Sequence, residues 1–296
     1  MLYFYILAGV LTSGLSGYFY KHVSLAGRNA AASLLSPIMW YLPLSLLFGI
    51  IALAEGAGRS AAAGLIPPAL LSGLGAAICA VMLLEGMKHN AYAASVIIIN
   101  LNFILPVLLS MIFLREKTGW AQLIGMLAAA VAIIVVNSGG SKATGTDAKR
   151  PYILLAVAGC VGNGILNFGI KLKEHGGVHG GDGTVYALTY LFACLLCLSG
   201  YAVYRITGRP QPQADIRRAL PYAAGIGVCN GICFWAIGAL ARYMNAAAEF
   251  TVITALSIAV SLTVGRVFLR ERIGLRGILS LLGCAVAIVC QYWNLH

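Results

Sequence analysis

Ten apolar runs follow one another along this chain, each near the roughly 20 residues with which a helix crosses the hydrocarbon core of a bilayer. They fall at about 2–20, 30–54, 65–87, 92–114, 119–137, 152–171, 184–204, 219–241, 247–268 and 274–293. A bilayer offers the backbone no water, so such runs must satisfy their own N–H and C=O groups, and they do so as helices. Residues are 60% hydrophobic and 10% charged, with a mean hydropathy of +0.88, which leaves too little polar side chain for a water-facing surface. The chain therefore reads as an all-α integral membrane protein with ten transmembrane helices, multi-pass in a cell membrane (a plasma membrane or a bacterial inner membrane). The run at 2–20 has no basic segment ahead of it and reads as a first spanning helix, not a cleaved signal. Twenty Lys and Arg against nine acidic residues give a net charge of +11. These residues sit between apolar runs, so anionic lipid, not nucleic acid, is the expected partner. All eight Cys lie within the runs, where thiols act as small packing residues, so no disulfide framework is expected and Cys194-x-x-Cys197 reads as incidental spacing.

One segment occurs twice. Phe113-Leu114-Arg115-Glu116-Lys117-Thr118-Gly119 returns 155 residues later as Phe268-Leu269-Arg270-Glu271-Arg272-Ile273-Gly274. Each copy closes one apolar run and opens the next. Aligned without gaps at that offset, 90–136 matches 245–291 at 15 of 47 positions, with Asn90-Ala91 on Asn245-Ala246. The first run of each half aligns at an offset of 150, pairing Gly14 with Gly164 and Lys21 with Lys171. The polar stretch 138–150 falls between the copies and reads as a flexible linker. Two five-helix units follow, 1–140 and 151–296. Five is odd, so the second unit enters the bilayer from the opposite side. Two copies of one fold in opposite orientation make an inverted repeat, an architecture suited to alternating access at a midplane site.

With five-plus-five helices and Leu-Arg-Glu-Lys/Arg-x-Gly between the fourth and fifth run of each half, the chain resembles the drug/metabolite transporter superfamily, most closely its EamA-like ten-helix family. That family carries Leu-Gly-Glu-Arg/Lys at this junction. The sequence departs from the pattern at Arg115 and Arg270, where the family has Gly, and at Ser261, the repeat partner of Pro106. The resemblance implies a secondary transporter of small metabolites, with export of amino acids or related neutral or zwitterionic compounds expected first. Multidrug efflux and carriage of nucleotide sugars or lipid-linked sugars are the alternatives. A monomer or homodimer is expected. Counting Lys and Arg by side puts thirteen on the side of Lys21 and the linker and six on the other, which places the larger set in the cytoplasm and both termini outside. The family is usually drawn with both termini cytoplasmic, so the two expectations conflict.

Polar groups inside spans are costly and tend to face a cavity or a partner helix. Asn163, Asn167 and Lys171 stand at i, i+4, i+8, on one face of the sixth helix, opposite Ser13, Gly17 and Lys21 in the first. These faces are expected to line a central cavity, with the lysines near its mouths. Asn102 in the fourth helix aligns with Ser257 in the ninth, which also presents Thr254 on that face. Asn230, with Phe234 and Trp235 beside it, completes the candidate substrate site. Ser and Thr bonding to their own helix backbone is the competing reading. Glu85 and Glu249, with Lys21 and Lys171, are the candidates for proton or charge coupling, against a bland role for Glu85 as partner of Lys88 or His89 and for Glu249 as complement to a helix start.

Enzyme chemistry is not expected. Gly14-Leu15-Ser16-Gly17 looks like the Gly-x-Ser-Gly of rhomboid proteases, but that chemistry needs a His on another helix, and all five His lie outside the span interiors. No phosphate-binding loop occurs, so ATP hydrolysis within the chain is not expected. His175-x3-His179-x2-Asp182 has ligand spacing but sits in a Gly-rich connector, and no metal or other cofactor is expected.

Overall fold

The computed structural model describes residues 2–27, 30–55, 59–88, 101–137, 149–175, 181–207, 215–268 and 275–292. Helices account for almost all of them. In chain order they are α1 (Leu2–Ala26), α2 (Ala30–Leu35), α3 (Ile38–Ala54), α4 (Arg59–Lys88), a 3₁₀ turn at Leu101–Phe103 running into α5 (Ile104–Phe113), α6 (Trp120–Asn137), α7 (Lys149–His175), α8 (Asp182–Ile206), α9 (Ile216–Leu240), α10 (Ala246–Phe268) and α11 (Leu275–Tyr292). The sequence expectation of an all-helical chain holds for the described residues. Asn90, Ala91, residues 138–148, His179 and the second motif copy from Leu269 to Gly274 lie outside them.

Pro37 divides α2 from α3, because its nitrogen carries no hydrogen to continue the ladder. Together the two pieces run from Ala30 to Ala54. This stretch and Leu2–Ala26, Gly64–Lys88, Asp182–Ile206 and Arg217–Leu240 are long and apolar enough to cross a membrane. Ile104–Phe113, Trp120–Val131, Ala246–Val260 and Leu281–Cys290 are shorter apolar helical segments. The outer surface fits the same reading. Tyr3, Leu46, Leu53, Ile112, Trp120, Leu154 and Ile206 are all exposed. In water such a surface would drive aggregation, whereas lipid tails solvate it without cost. The fold is thus compatible with a multi-pass membrane protein.

Helix contacts form a swapped pattern. α1 packs on α9 and α10, while α7 packs on α4 and on the segment around α5. α3 meets α8, and α6 meets α11. Close approach depends on glycine at particular places. A Cβ on Gly162 of α7 would lie 2.7 Å from the Cys79 nitrogen and 2.9 Å from the Gly75 carbonyl oxygen of α4, so the two backbones touch there. A Cβ on Gly14 of α1 would lie 2.8 Å from Val260 Cβ of α10, and one on Gly164 of α7 would lie 2.7 Å from Leu105 Cβ of α5. All eight cysteines are free thiols.

Candidate functional site

Where α1, α4, α7, α9 and α10 converge, with Tyr41 of α3 at the edge, they leave a cavity of about 150 Å³. Ser13, Ser16, Gly17 and Tyr20 face it from α1, and Asn163, Leu166 and Asn167 from α7. Asn230, Cys233, Phe234 and Ile237 come from α9, and Phe250, Ile253, Thr254 and Ser257 from α10. Asn102 enters from the 3₁₀ turn, and Ala76, Cys79, Leu83 and Met87 from α4. The helical period explains the sets. On α7, positions 163, 166 and 167 repeat at 3 and 4 residues, as do 250, 253, 254 and 257 on α10. The 3₁₀ turn at Asn102 has a local cause as well. Pro106 has no N–H for the Asn102 carbonyl four residues back, and its ring would clash with that carbonyl in a regular α-helix.

The cavity is polar without being charged, since among the described residues no Asp, Glu, Lys, Arg or His lines it. Several of its hydrogen-bonding groups are already used. Asn230 Nδ2 donates to Tyr20 Oη at 3.0 Å, Tyr41 Oη donates to the Ala76 carbonyl at 2.8 Å, and Ser16 Oγ donates to the Ser13 carbonyl at 2.8 Å. Ser257 Oγ is buried and has no partner among the described residues. An orphaned hydroxyl costs free energy unless something fills its place.

Of the eight candidate substrate residues, Ser13, Asn102, Asn163, Asn167, Asn230, Thr254 and Ser257 are brought to this one cavity. Trp235 is not. It is 41% exposed and packs its ring edge-on against Tyr5 at 5.1 Å. Successive helical residues point about 100° apart, so Phe234 faces the cavity and Trp235 the outside. Backbone bonding by hydroxyls is real at Thr12, which donates to the Ala8 carbonyl, and at Ser16, but not at Ser257. Tyr20 and Tyr41 line the cavity unannounced. Tyr20 stands three residues beyond Gly17, so the period alone would have found it. Tyr41 is held by a contact 35 residues away in sequence, which leaves no local signal.

The charged candidates lie elsewhere. Glu85 accepts from Ser33 Oγ at 2.8 Å and from Lys88 Nζ at 3.0 Å, the pairing read from the sequence. Lys21 does not line the cavity. Nor does Lys171 stand at a mouth as expected. It is buried, donates to the Ala241 and Met244 carbonyls, and lies 3.4 Å from Glu249 Oε2 and 3.6 Å from Glu116 Oε1. Its four-carbon stem reaches the carbonyl end of α9, where helix carbonyls without N–H partners attract a cation. Beside this cluster, Lys173 and Arg242 each pair with both Glu174 and Asp182. Asp182 is thereby engaged, and no group of metal-ligating side chains occurs among the described residues.

No family model matches the chain, and no curated protein matches it. Solved structures do match, 28 chains in all. One of them, described only as the crystal structure of a protein, superposes with a TM-score of 0.66 at 16% identity, over 95% of this chain and 94% of its own. At that identity the likeness shows the fold alone. Coverage of nearly the whole of both chains means that the complete helical arrangement recurs in another protein.

Proposed function

We propose that this chain is a secondary transporter of the drug/metabolite type, with ten transmembrane helices in two inverted five-helix repeats, and that it exports small amino acids or related neutral or zwitterionic metabolites across the cell membrane. The observation that carries this reading is the uncharged polar cavity, which residues of both halves line together. Repeat-related positions meet there, Ser13 with Asn163, Gly17 with Asn167 and Asn102 with Ser257. The swapped contacts support inversion. Gly14 meets Val260 while Gly164 meets Leu105, and these contacts are related by the same offsets of 150 and 155 that align the sequence. Two halves that exchange equivalent contacts have two equivalent ways to close around one site, as alternating access requires.

Size and charge narrow the substrate. A cavity of about 150 Å³ is below the roughly 300–1,000 Å³ of sites for drug-sized ligands. That suits a small amino acid better than a drug. A phosphate-bearing sugar would call for Arg or Lys at the site, and none lines it among the described residues. Counterflow into proteoliposomes by the purified chain is the test, with labelled neutral amino acids, sugars and cationic drugs offered in turn. Exchange of one or more small neutral amino acids is expected. Absence of substrate-dependent flux across the whole panel removes the transporter reading.

A further inference from the structure

Just beyond the neutral lining of the cavity lies a cluster of charged side chains. Glu249 is the residue before Phe250 and one turn from Ile253, both of which line the cavity. Lys171 is one turn beyond Asn167 on the same face of α7. Both charged side chains are closed off from solvent, Glu249 at 0% exposure and Lys171 at 3%. Glu249 Oε2 lies 3.4 Å from Lys171 Nζ, and Glu249 Oε1 is buried with no hydrogen-bond partner among the described residues. Glu116, from the first copy of the repeated motif, brings Oε1 to 3.6 Å from the same ammonium while its Oε2 accepts the Ala246 N–H at 2.8 Å. Two carboxylates thus share one cation, and the three groups stand one proton short of neutrality, with Glu249 and Lys171 closed off from solvent and Glu116 partly exposed.

We propose that Glu249, set against Lys171 and Glu116, is a proton-binding site that couples transport to the proton gradient by antiport. This rests on the transporter reading. The unpartnered Oε1 can take up a proton without breaking an existing hydrogen bond. An O–H bond forms there, the carboxylate becomes a carboxylic acid, and its Coulomb attraction to Lys171 is lost. That pair joins α7 to α10, so its loss loosens the joint that closes this end of the cavity. Release of the proton to the opposite aqueous phase restores the pair, and one proton crosses for each substrate exported.

The surroundings leave Glu249 as the carrier. Facing it are Lys171 and Glu174 from α7, Glu116 from the link after α5, and Tyr186 from α8. α6 carries no ionisable residue, and α1 and α11 carry no carboxylate. α1 runs parallel to α10, with Gly9 against Ile253 and Gly14 against Val260, so Lys21 belongs to the far end. Arg276 opens α11 and is the only basic residue on that helix. Burial works against the charge of Arg242 in the link before α10, but Asp182 and Glu174 more than offset it and hold the guanidinium above its ordinary value, so it stays cationic. Glu116 already holds the Ala246 N–H, and Glu85 is engaged by Lys88 and Ser33.

The test uses the full chain in proteoliposomes. Counterflow is measured first without a pH gradient, then accumulation with the lumen acidic. Wild type is expected to accumulate substrate up to about tenfold per pH unit, the limit for one proton per substrate. Glu249→Gln is expected to keep counterflow and lose accumulation. Wild-type counterflow without accumulation, or accumulation retained in E249Q, overturns the proposal while leaving the transporter reading intact. No counterflow in wild type overturns both. Should E249Q fail to fold, Glu249→Asp decides: a displaced pH profile of accumulation supports the site, and a wild-type profile overturns it.

Discussion

The side chains of the cavity divide into those already bonded and those still to be satisfied, and this division sets what each is worth to a substrate. Asn230 is tied to Tyr20, whereas Ser257, which lines the same cavity as Asn163 and Asn167, has a buried Oγ with no partner among the described residues. Asn163→Ala, Asn167→Ala and Ser257→Ala are each expected to raise the half-saturating substrate concentration in counterflow by roughly five- to tenfold, about 1 kcal/mol or somewhat more per hydrogen bond. Thermal stability of the purified variants should stay near that of wild type, because none of these groups bonds another helix among the described residues. The asparagines were legible in the sequence because a polar residue every four positions in an apolar run marks one helix face. Lys171 continues the same spacing yet leaves the cavity, since a long flexible cation goes to the nearest carboxylates and carbonyls, and these lie far away in sequence. Arg115 presents another residue-level feature. It has φ +54°, the left-handed conformation that costs a side-chain-bearing residue roughly 1–2 kcal/mol, and it occupies the position where the resembled family carries Gly. Arg115→Gly is therefore expected to raise the unfolding temperature, by an amount corresponding to about 0.5–1 kcal/mol after the added chain entropy of glycine is set against the strain relieved. A melting curve of the detergent-solubilised protein measures it.

At the scale of elements, the repeated motif acquires a physical role. Glu116 caps the start of α10 through the Ala246 N–H, and Gln122, just inside α6, pairs with Asn245 at the same junction. The first-half motif thus fastens the second half. The repeat-related residues Asn90, Ala91 and Glu271 lie outside the described residues. Helix positions were readable from the apolar runs, and the ends were not. α1 continues to Ala26 although the run at its core stops near Tyr20, and α7 extends to His175 through Lys171 and Lys173. Hydropathy ends where charge begins, but a helix ends only where its carbonyls find other partners. The break at Pro37 and the 3₁₀ turn before Pro106 show proline acting as local geometry demands. Glycine was legible only as abundance, because a sequence does not say which glycine faces a neighbouring backbone. Gly162→Ala would press Cβ to 2.7 Å from a backbone nitrogen of α4, whereas nothing lies within 4 Å of a Cβ on Gly49. Gly162→Ala is expected to destabilise the protein by about 1–3 kcal/mol, the range for overpacking, and Gly49→Ala to stabilise it by up to about 1 kcal/mol, the advantage of alanine over glycine inside a helix. A lower yield of monodisperse protein and an earlier melt in G162A alone would bear this out.

For the whole molecule, charge decides which way round the bundle sits. On the ten-span reading, thirteen Lys and Arg share the side of Lys21, Lys88 and the central linker, and six share the other. Of those six, Lys171, Lys173 and Arg242 are taken up in ion pairs with Glu116, Glu174, Asp182 and Glu249. On the larger side Lys88 and Arg218 are likewise paired, with Glu85 and Asp215, so pairing draws on both sides and the majority stays where the count puts it. Basic loops are held in the cytoplasm, where the leaflet surface is negative, and each unpaired cation near that surface contributes about 1 kcal/mol. By this count the linker is expected inside the cell and both termini outside, opposite to the usual drawing of the resembled family. A cysteine introduced at position 145 reports the side directly, since Cys79, Cys194, Cys197, Cys229 and Cys284 are buried and the remaining three cysteines are half-buried within helices. A membrane-impermeant maleimide is expected to leave residue 145 unlabelled in intact cells and to label it once the membrane is opened, with the unmodified chain as the background. Labelling in intact cells would reverse the orientation, and with it the side from which Glu249 takes its proton.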